Sequence, residues 1–132
     1  MNIGLVVARY NTGITEKMRQ SAEEKASELD VEVVDIAETP GSYDTPLAAD
    51  RLARREDIDA VVVLGAIIEG DTDHDKVIGH TVAEKLSQVS LDRDKPVTMG
   101  ITGPGMTASE ARNRVDYAAQ AVESAVKMYD EL

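Results

Sequence analysis

The sequence predicts an α/β chain: a three-layer α/β/α sandwich around a four-stranded parallel sheet. Two observations point to it. Short runs of β-branched and aliphatic residues alternate four times with segments whose apolar residues recur at helical spacing, and turn or capping residues separate them. Strands that alternate with helices need right-handed crossovers, and these cover both faces of a parallel sheet. The 132 residues suit one domain, able to bury roughly two thirds of the surface its unfolded chain exposes.

The elements follow in order. Asn2–Ala8 is nearly all apolar, as a strand buried on both faces must be. Ile14, Met18, Ala22, Ala26 and Leu29 then mark a helix, and Val31–Ile36 a second strand. Thr45 followed by Pro46 reads as an N-cap with proline at the first helical position, opening a helix to Arg55. Ala60–Ala66 is the third strand. Thr72 and Asp75 have capping-box spacing for a helix carrying Ile78, Val82, Leu86 and Val89 on one face. Pro96–Thr102 is the fourth strand. Thr107 and Glu110 repeat the capping box, and Ala111, Val115, Ala118, Val122, Ala125 and Tyr129 line one long terminal helix. The expected strand order is 2-1-3-4, doubly wound and flavodoxin-like.

Composition narrows the function. Twenty-five acids against 14 bases give a formal net charge of −11, which argues against binding a nucleic-acid backbone. Such acidity serves solubility in general; it also suits high salt, where screening removes the self-repulsion it creates. With no cysteine there is no disulfide and no thiolate nucleophile, and a metal would have only histidine and carboxylates to hold it. No apolar run approaches the ~20 residues of a membrane span, and MNIGLVVARY has neither the basic region nor the cleavage site of a signal peptide. These features point to a cytoplasmic chain without membrane partners.

In doubly wound folds ligands bind beyond the carboxyl ends of the strands. That rule selects Arg9–Gly13, Thr39–Asp44, Ala66–His74 and Thr102–Thr107, where most of the unusual residues gather. Tyr10 and Tyr43 either cover the sheet edge or sandwich a planar ring, in a chain without Phe or Trp. Asp44 is a helix cap or an acceptor for ligand hydroxyls. Gly70-Asp71-Thr72 opens a helix, so it either caps it or offers backbone N–H groups to a phosphate. His74 is a polar loop residue or an acid–base group, the one side chain at these strand ends with an ordinary pKa near neutrality. His80 lies roughly 240° around the helix from it, so the two cannot share a metal, and a structural role is expected. Arg114 is a solvated arginine or an anion ligand. There is no G-x-x-x-x-G-K-[ST], no nucleophile elbow and no zinc spacing. Gly103-Pro104-Gly105 supports a dinucleotide site only weakly.

Taken together, the residues carry a resemblance. Arg9-Tyr10-Asn11 with Ile14-Thr15, then Pro40-Gly41-Ser42-Tyr43-Asp44-Thr45-Pro46-Leu47-Ala48, then Leu64-Gly65-Ala66-Ile67-Ile68-Glu69-Gly70-Asp71-Thr72-Asp73-His74 resemble the lumazine synthase family in order and spacing. Gly100-Ile101-Thr102-Gly103-Pro104-Gly105-Met106-Thr107 and Arg114-Val115-Asp116-Tyr117 are similar to its archaeal members. The resemblance implies a cofactor-free, metal-free condensation of 5-amino-6-ribitylamino-uracil with 3,4-dihydroxy-2-butanone 4-phosphate, giving 6,7-dimethyl-8-ribityllumazine.

By that resemblance Tyr10 stacks on the pyrimidine, and Ser42, Tyr43 and Asp44 hold the ribityl chain. The backbone of Ala66, Ile67 and Ile68 reads the uracil edge, Asp71 and Thr72 bind phosphate, and His74 moves protons. Met99 and Arg114 correspond to positions supplied by a neighbouring subunit, Arg114 to phosphate. Met99 departs from the family's usual aromatic, for which a thioether against a ring edge is a substitute. The resemblance also implies a homo-oligomer, a cyclic pentamer or a 60-subunit shell built from it. Two readings compete: an archaeal riboflavin synthase, which would consume the lumazine, and a non-catalytic flavin or lumazine carrier.

Overall fold

The computed structural model describes residues 1–70 and 73–132. Its strands are β1 (Asn2–Ala8), β2 (Glu32–Thr39), β3 (Ala60–Ile68) and β4 (Val97–Met106). Its helices are α1 (Thr12–Glu28), α2 (Thr45–Ala53), α3 (His74–Arg93), α4 (Ala108–Arg112) and α5 (Tyr117–Glu131). The sheet has the order β2-β1-β3-β4, with every pair parallel. That is the arrangement expected from the alternation of elements.

The period-2 alternation of β1 and β3 divides the core. Ile3, Leu5, Val7, Val62, Leu64 and Ala66 face one side, where Ile14, Met18 and Ala22 of α1 and Ala118, Val122 and Ala125 of α5 cover them. Val6, Val61, Val63 and Ile67 face the other, under Ala49 and Leu52 of α2 and Val82, Leu86 and Val89 of α3. Both central strands are therefore buried but for Asn2 and Ile68 at their ends, which is why their sequences read as almost unbroken apolar runs. β2 is an edge strand, and half-exposed residues fill its middle.

Four expectations need correction. Thr45 lies inside α2 and not at its cap; its hydroxyl turns back to donate to the Ser42 carbonyl at 2.7 Å. The Thr107–Glu110 capping box forms, with both reciprocal bonds at 3.2 Å, but the helix it opens is short. Residues 113–116 close i→i+3 bonds, such as Tyr117 N–H to the Arg114 carbonyl at 3.0 Å, and split the expected long helix into α4 and α5. Tyr129, at the far end, is half-exposed instead of lining the core. β4 runs four residues past Thr102, because Gly103 and Gly105 take positive φ (+88° and +82°) and so keep the chain paired. Met106 stands opposite Ile68, and its carbonyl accepts from the Glu69 N–H at 2.8 Å. Thr72 lies outside the described residues; Asp73 takes the cap position of α3 without a side-chain bond.

Candidate functional site

A pocket of about 350 Å³ opens at the carboxyl ends of the strands. Three sequence-distant segments build it, and each is held by local chemistry that the sequence explains.

The first follows β1. Arg9 and Tyr10 continue the ladder to β2, donating to the carbonyls of Thr39 (2.8 Å) and Pro40 (2.9 Å). Asn11 then takes a left-handed conformation (φ 66°), which asparagine tolerates better than most residues. Its carbonyl accepts the first bonds of α1, while its side-chain amide donates to the Ala66 carbonyl at 3.0 Å. The loop after β1 is thus pinned to the end of β3, and Tyr10 stands on the pocket wall, 73% exposed. A ring so open is not covering the sheet edge.

The second segment is a 3₁₀ turn, Ser42–Asp44. Ser42 is buried against Gly65: a Cβ on Gly65 would stand 2.7 Å from the Ser42 hydroxyl. Asp44 accepts the Gly41 N–H at 3.1 Å, and the Thr39 hydroxyl donates to the Gly41 carbonyl at 2.9 Å. Those contacts fix Tyr43 facing the pocket, 65% exposed. Asp44 itself steadies the turn and does not line the pocket.

The third segment supplies the floor. Ala66, Ile67 and Ile68 end β3 where its register with β4 shifts. Gly103 is required beside them, since a Cβ there would lie 2.0 Å from the Ile67 carbonyl oxygen. Beyond Gly70, α3 begins with His74, which lines the pocket and, with Tyr43, Val77, Ile78 and Thr81, an adjoining apolar cleft. Asp71 and Thr72 lie outside the described residues.

The pocket therefore joins Tyr10, Ser42, Tyr43, Ala66, Ile67, Ile68 and His74. It does not join Met99 or Arg114. Met99 is 45% exposed on β4, the far edge strand, beside Thr98 and Tyr117 on one flank and His80 and Pro104 on the other. Arg114 sits exposed in the turn between α4 and α5 and pairs with no acid among the described residues. His80 is likewise exposed, away from the pocket. Among the described residues, no three His, Asp or Glu side chains gather as a metal ion would need, and no helix is long and apolar enough to cross a membrane.

Two lining side chains escape the sequence reading, Ile78 and Asp75. Asp75 is only 8% exposed, and its carboxylate accepts the Gly105 N–H at 3.3 Å. The signal was its phase: 75, 79, 82 and 86 follow one helical face, the face that carries Gly79, Val82 and Leu86 into the interior.

A sequence profile described as 6,7-dimethyl-8-ribityllumazine synthase matches residues 1–132. A protein of that name from Halorubrum lacusprofundi is 58% identical over 132 residues, covering all of this chain and 98% of its own. One from Halobacterium salinarum is 57% identical over 130 residues, 98% of each. One from Methanothermobacter thermautotrophicus is 50% identical over 132 residues, covering all of this chain and 95% of its own.

Proposed function

The chain belongs to the 6,7-dimethyl-8-ribityllumazine synthase family, and we propose that the pocket at its strand ends is where the condensation takes place. The observation that carries this is convergence: two tyrosine rings, a strand end with backbone polar groups and one histidine line a single pocket.

Tyr10 offers its ring to the pyrimidine face, which suits a flat heterocycle with a polar rim. The backbone of Ala66–Ile68 reads the uracil edge, and Ser42 and Tyr43 hold the ribityl chain. Asp44, which steadies their turn without lining the pocket, accepts from its hydroxyls only where the chain reaches past the pocket wall. Asp71 and Thr72 bind the phosphate of the four-carbon ketone. The amine of the pyrimidine attacks the ketone to form an imine, phosphate leaves, and ring closure with loss of water gives the lumazine. His74 carries protons between these steps. No nucleophile of the protein is needed, so the enzyme's contribution is positioning and proton transfer.

Arg114 and Met99 lie outside the pocket of their own chain, and we infer that a neighbouring copy supplies them, Arg114 to the phosphate and Met99 to the ring. The working unit is then a homo-oligomer, a pentamer or a shell built from it, in the cytoplasm. Its acidity sets a condition: five chains at −11 carry 5 × −11 = −55, a repulsion that salt must screen. Two of the relatives above come from halophilic archaea, which fits a protein built for such salt.

Incubation with both substrates tests the reading. The expected result is a green-fluorescent lumazine and phosphate in equal amounts. Consumption of added lumazine instead would favour a riboflavin synthase, and binding without turnover a carrier. Light scattering across a salt series, with activity measured in parallel, tests the shared site; an active monomer at any salt concentration would refute it.

A further inference from the structure

We propose that Asp75 is a positioning residue for the condensation, locking the β4 extension to the first turn of α3. The inference rests on the functional reading above.

The seam between α3 and the end of β4 is built from one helical face. At Gly79 a Cβ would fall 2.6 Å from Pro104 Cδ, so only a glycine lets the proline ring pack on the helix. One turn earlier on that face, the Asp75 carboxylate reaches over to accept the Gly105 N–H. The strand it grips needs such a hold. Gly103 and Gly105 both have positive φ, and a Cβ at Gly105 would meet nothing within 4 Å, so side-chain packing does not fix the backbone there. A charge-assisted bond from a buried carboxylate does.

What the extension supports is the pocket floor. Met106 pairs with Ile68 and accepts from Glu69, and Gly103 lies directly against the Ile67 carbonyl. The same helical turn carries His74. Asp75 thus ties together the strand end that reads the pyrimidine and the residue that moves protons, while sharing their pocket. A shift on the order of 1 Å between such parts costs about 100-fold in turnover.

The test compares Asp75→Asn with Asp75→Ser, as full chains in molar salt. Asparagine keeps an oxygen at the right distance for the Gly105 N–H; serine is too short to reach it. Asp75→Asn is expected to keep kcat within about threefold, and Asp75→Ser to lose about 30- to 100-fold in kcat with KM for both substrates changed far less. Equal losses in both variants would make the charge itself the agent and overturn the positioning role. Unchanged kcat in both would overturn it too, leaving only a structural bond. Amide hydrogen exchange on the wild-type protein reads the same bond without activity or a folded variant: Gly105 should be protected, and exchange at the free-peptide rate overturns the proposal. Failure of the wild-type protein to make lumazine would instead strike the functional reading, and the exchange result stands apart from it.

Discussion

At the amino-terminal rim of the sheet, charged side chains pair closely with one another; at the carboxyl-terminal rim pairs such as Arg9–Glu38 and Lys76–Asp73 are looser, at 3.7 and 3.6 Å, and several large side chains stay exposed. At the lower rim Arg55 bonds both Asp35 and Asp57, Lys95 donates to the Arg55 carbonyl at 2.7 Å, and Asp50 binds Arg93 (2.8 Å) and Arg54 (2.6 Å). The Asn2 N–H donates to Asp59 at 2.7 Å. Among the described residues, the clear shifts of proton affinity fall at this end. Arg93 holds the Asp50 carboxyl below the usual carboxylate range and Arg55 does the same to Asp57; in return Asp57 and Asp35 raise Arg55, Asp50 raises Arg93, and Glu28 and Glu123 raise Lys25. At the upper rim Tyr10, Tyr43 and Arg114 are exposed, and the Thr102 hydroxyl is buried without a hydrogen-bond partner among the described residues. Perturbed ionisation often marks a functional site; among the described residues it falls at the end away from the proposed pocket. The side chains proposed to meet the ligand, Tyr10 and Tyr43 among them, are the exposed ones at the other end.

The sharpest way to break this contrast is His74→Ala. With His74 as the acid–base group proposed above, its removal should slow turnover by roughly 10- to 10⁴-fold with substrate binding nearly intact. Pre-steady-state measurement of lumazine formation reads it. A loss in binding that matches the loss in rate would make His74 a cap for α3.

Arg114→Ala comes next. Loss of one charge-assisted contact to a dianion is worth about 1.5–3 kcal/mol, roughly 10- to 150-fold in KM for the phosphate-bearing substrate, with KM for the pyrimidine little changed. Equal weakening of both substrates would sink the assignment. Mixing this variant with His74→Ala sharpens the test: if a neighbour supplies Arg114, mixed rings regain activity that neither variant has alone.

These residues show what a sequence can and cannot tell. Apolar runs such as AVVVLGA and the Thr107–Glu110 box act within a few neighbours, so the strands, their order and that cap were legible. The rim that would hold the pocket followed from the same pattern. Asp75 was not legible, because a first-turn acid three residues after Thr72 satisfies the capping-box spacing whether or not it bonds locally, and in the fold its partner is Gly105, 30 residues on. Gly103-Pro104-Gly105 reads as a turn, yet paired across from Ile68 it prolongs a strand. Arg114 and Met99 were named by the resemblance alone, and within one chain neither side chain lines the pocket at the strand ends.

Thr102→Val probes the open rim without touching the chemistry. Its hydroxyl is fully buried and has no partner among the described residues, so valine removes a desolvation cost while keeping the shape. A gain of about 1 kcal/mol is expected, seen as a rise in Tm at unchanged kcat. A drop in Tm would mean that the hydroxyl has a partner, such as a bound water.

The smallest effect belongs to the closed rim. Asp50→Asn removes a charge that Arg93 and Arg54 both hold, and part-exposed pairs of this kind contribute about 1 kcal/mol or less. Its pH dependence is distinctive. Because folding lowers the Asp50 pKa, chiefly through the bond from Arg93, the unfolded chain takes up the proton first as acid is added. The pair's contribution is therefore complete above the ordinary carboxylate pKa of about 3.9 and fades as pH falls through the lowered one. The wild-type Tm should fall more steeply than the variant's below about pH 5, with the two curves parallel above it. Curves parallel over the whole acid limb would show that the Arg93–Asp50–Arg54 cluster adds nothing to stability. A matching change in kcat at neutral pH would show that the lower rim is not separate from the site, and the contrast between the two ends would fail with it.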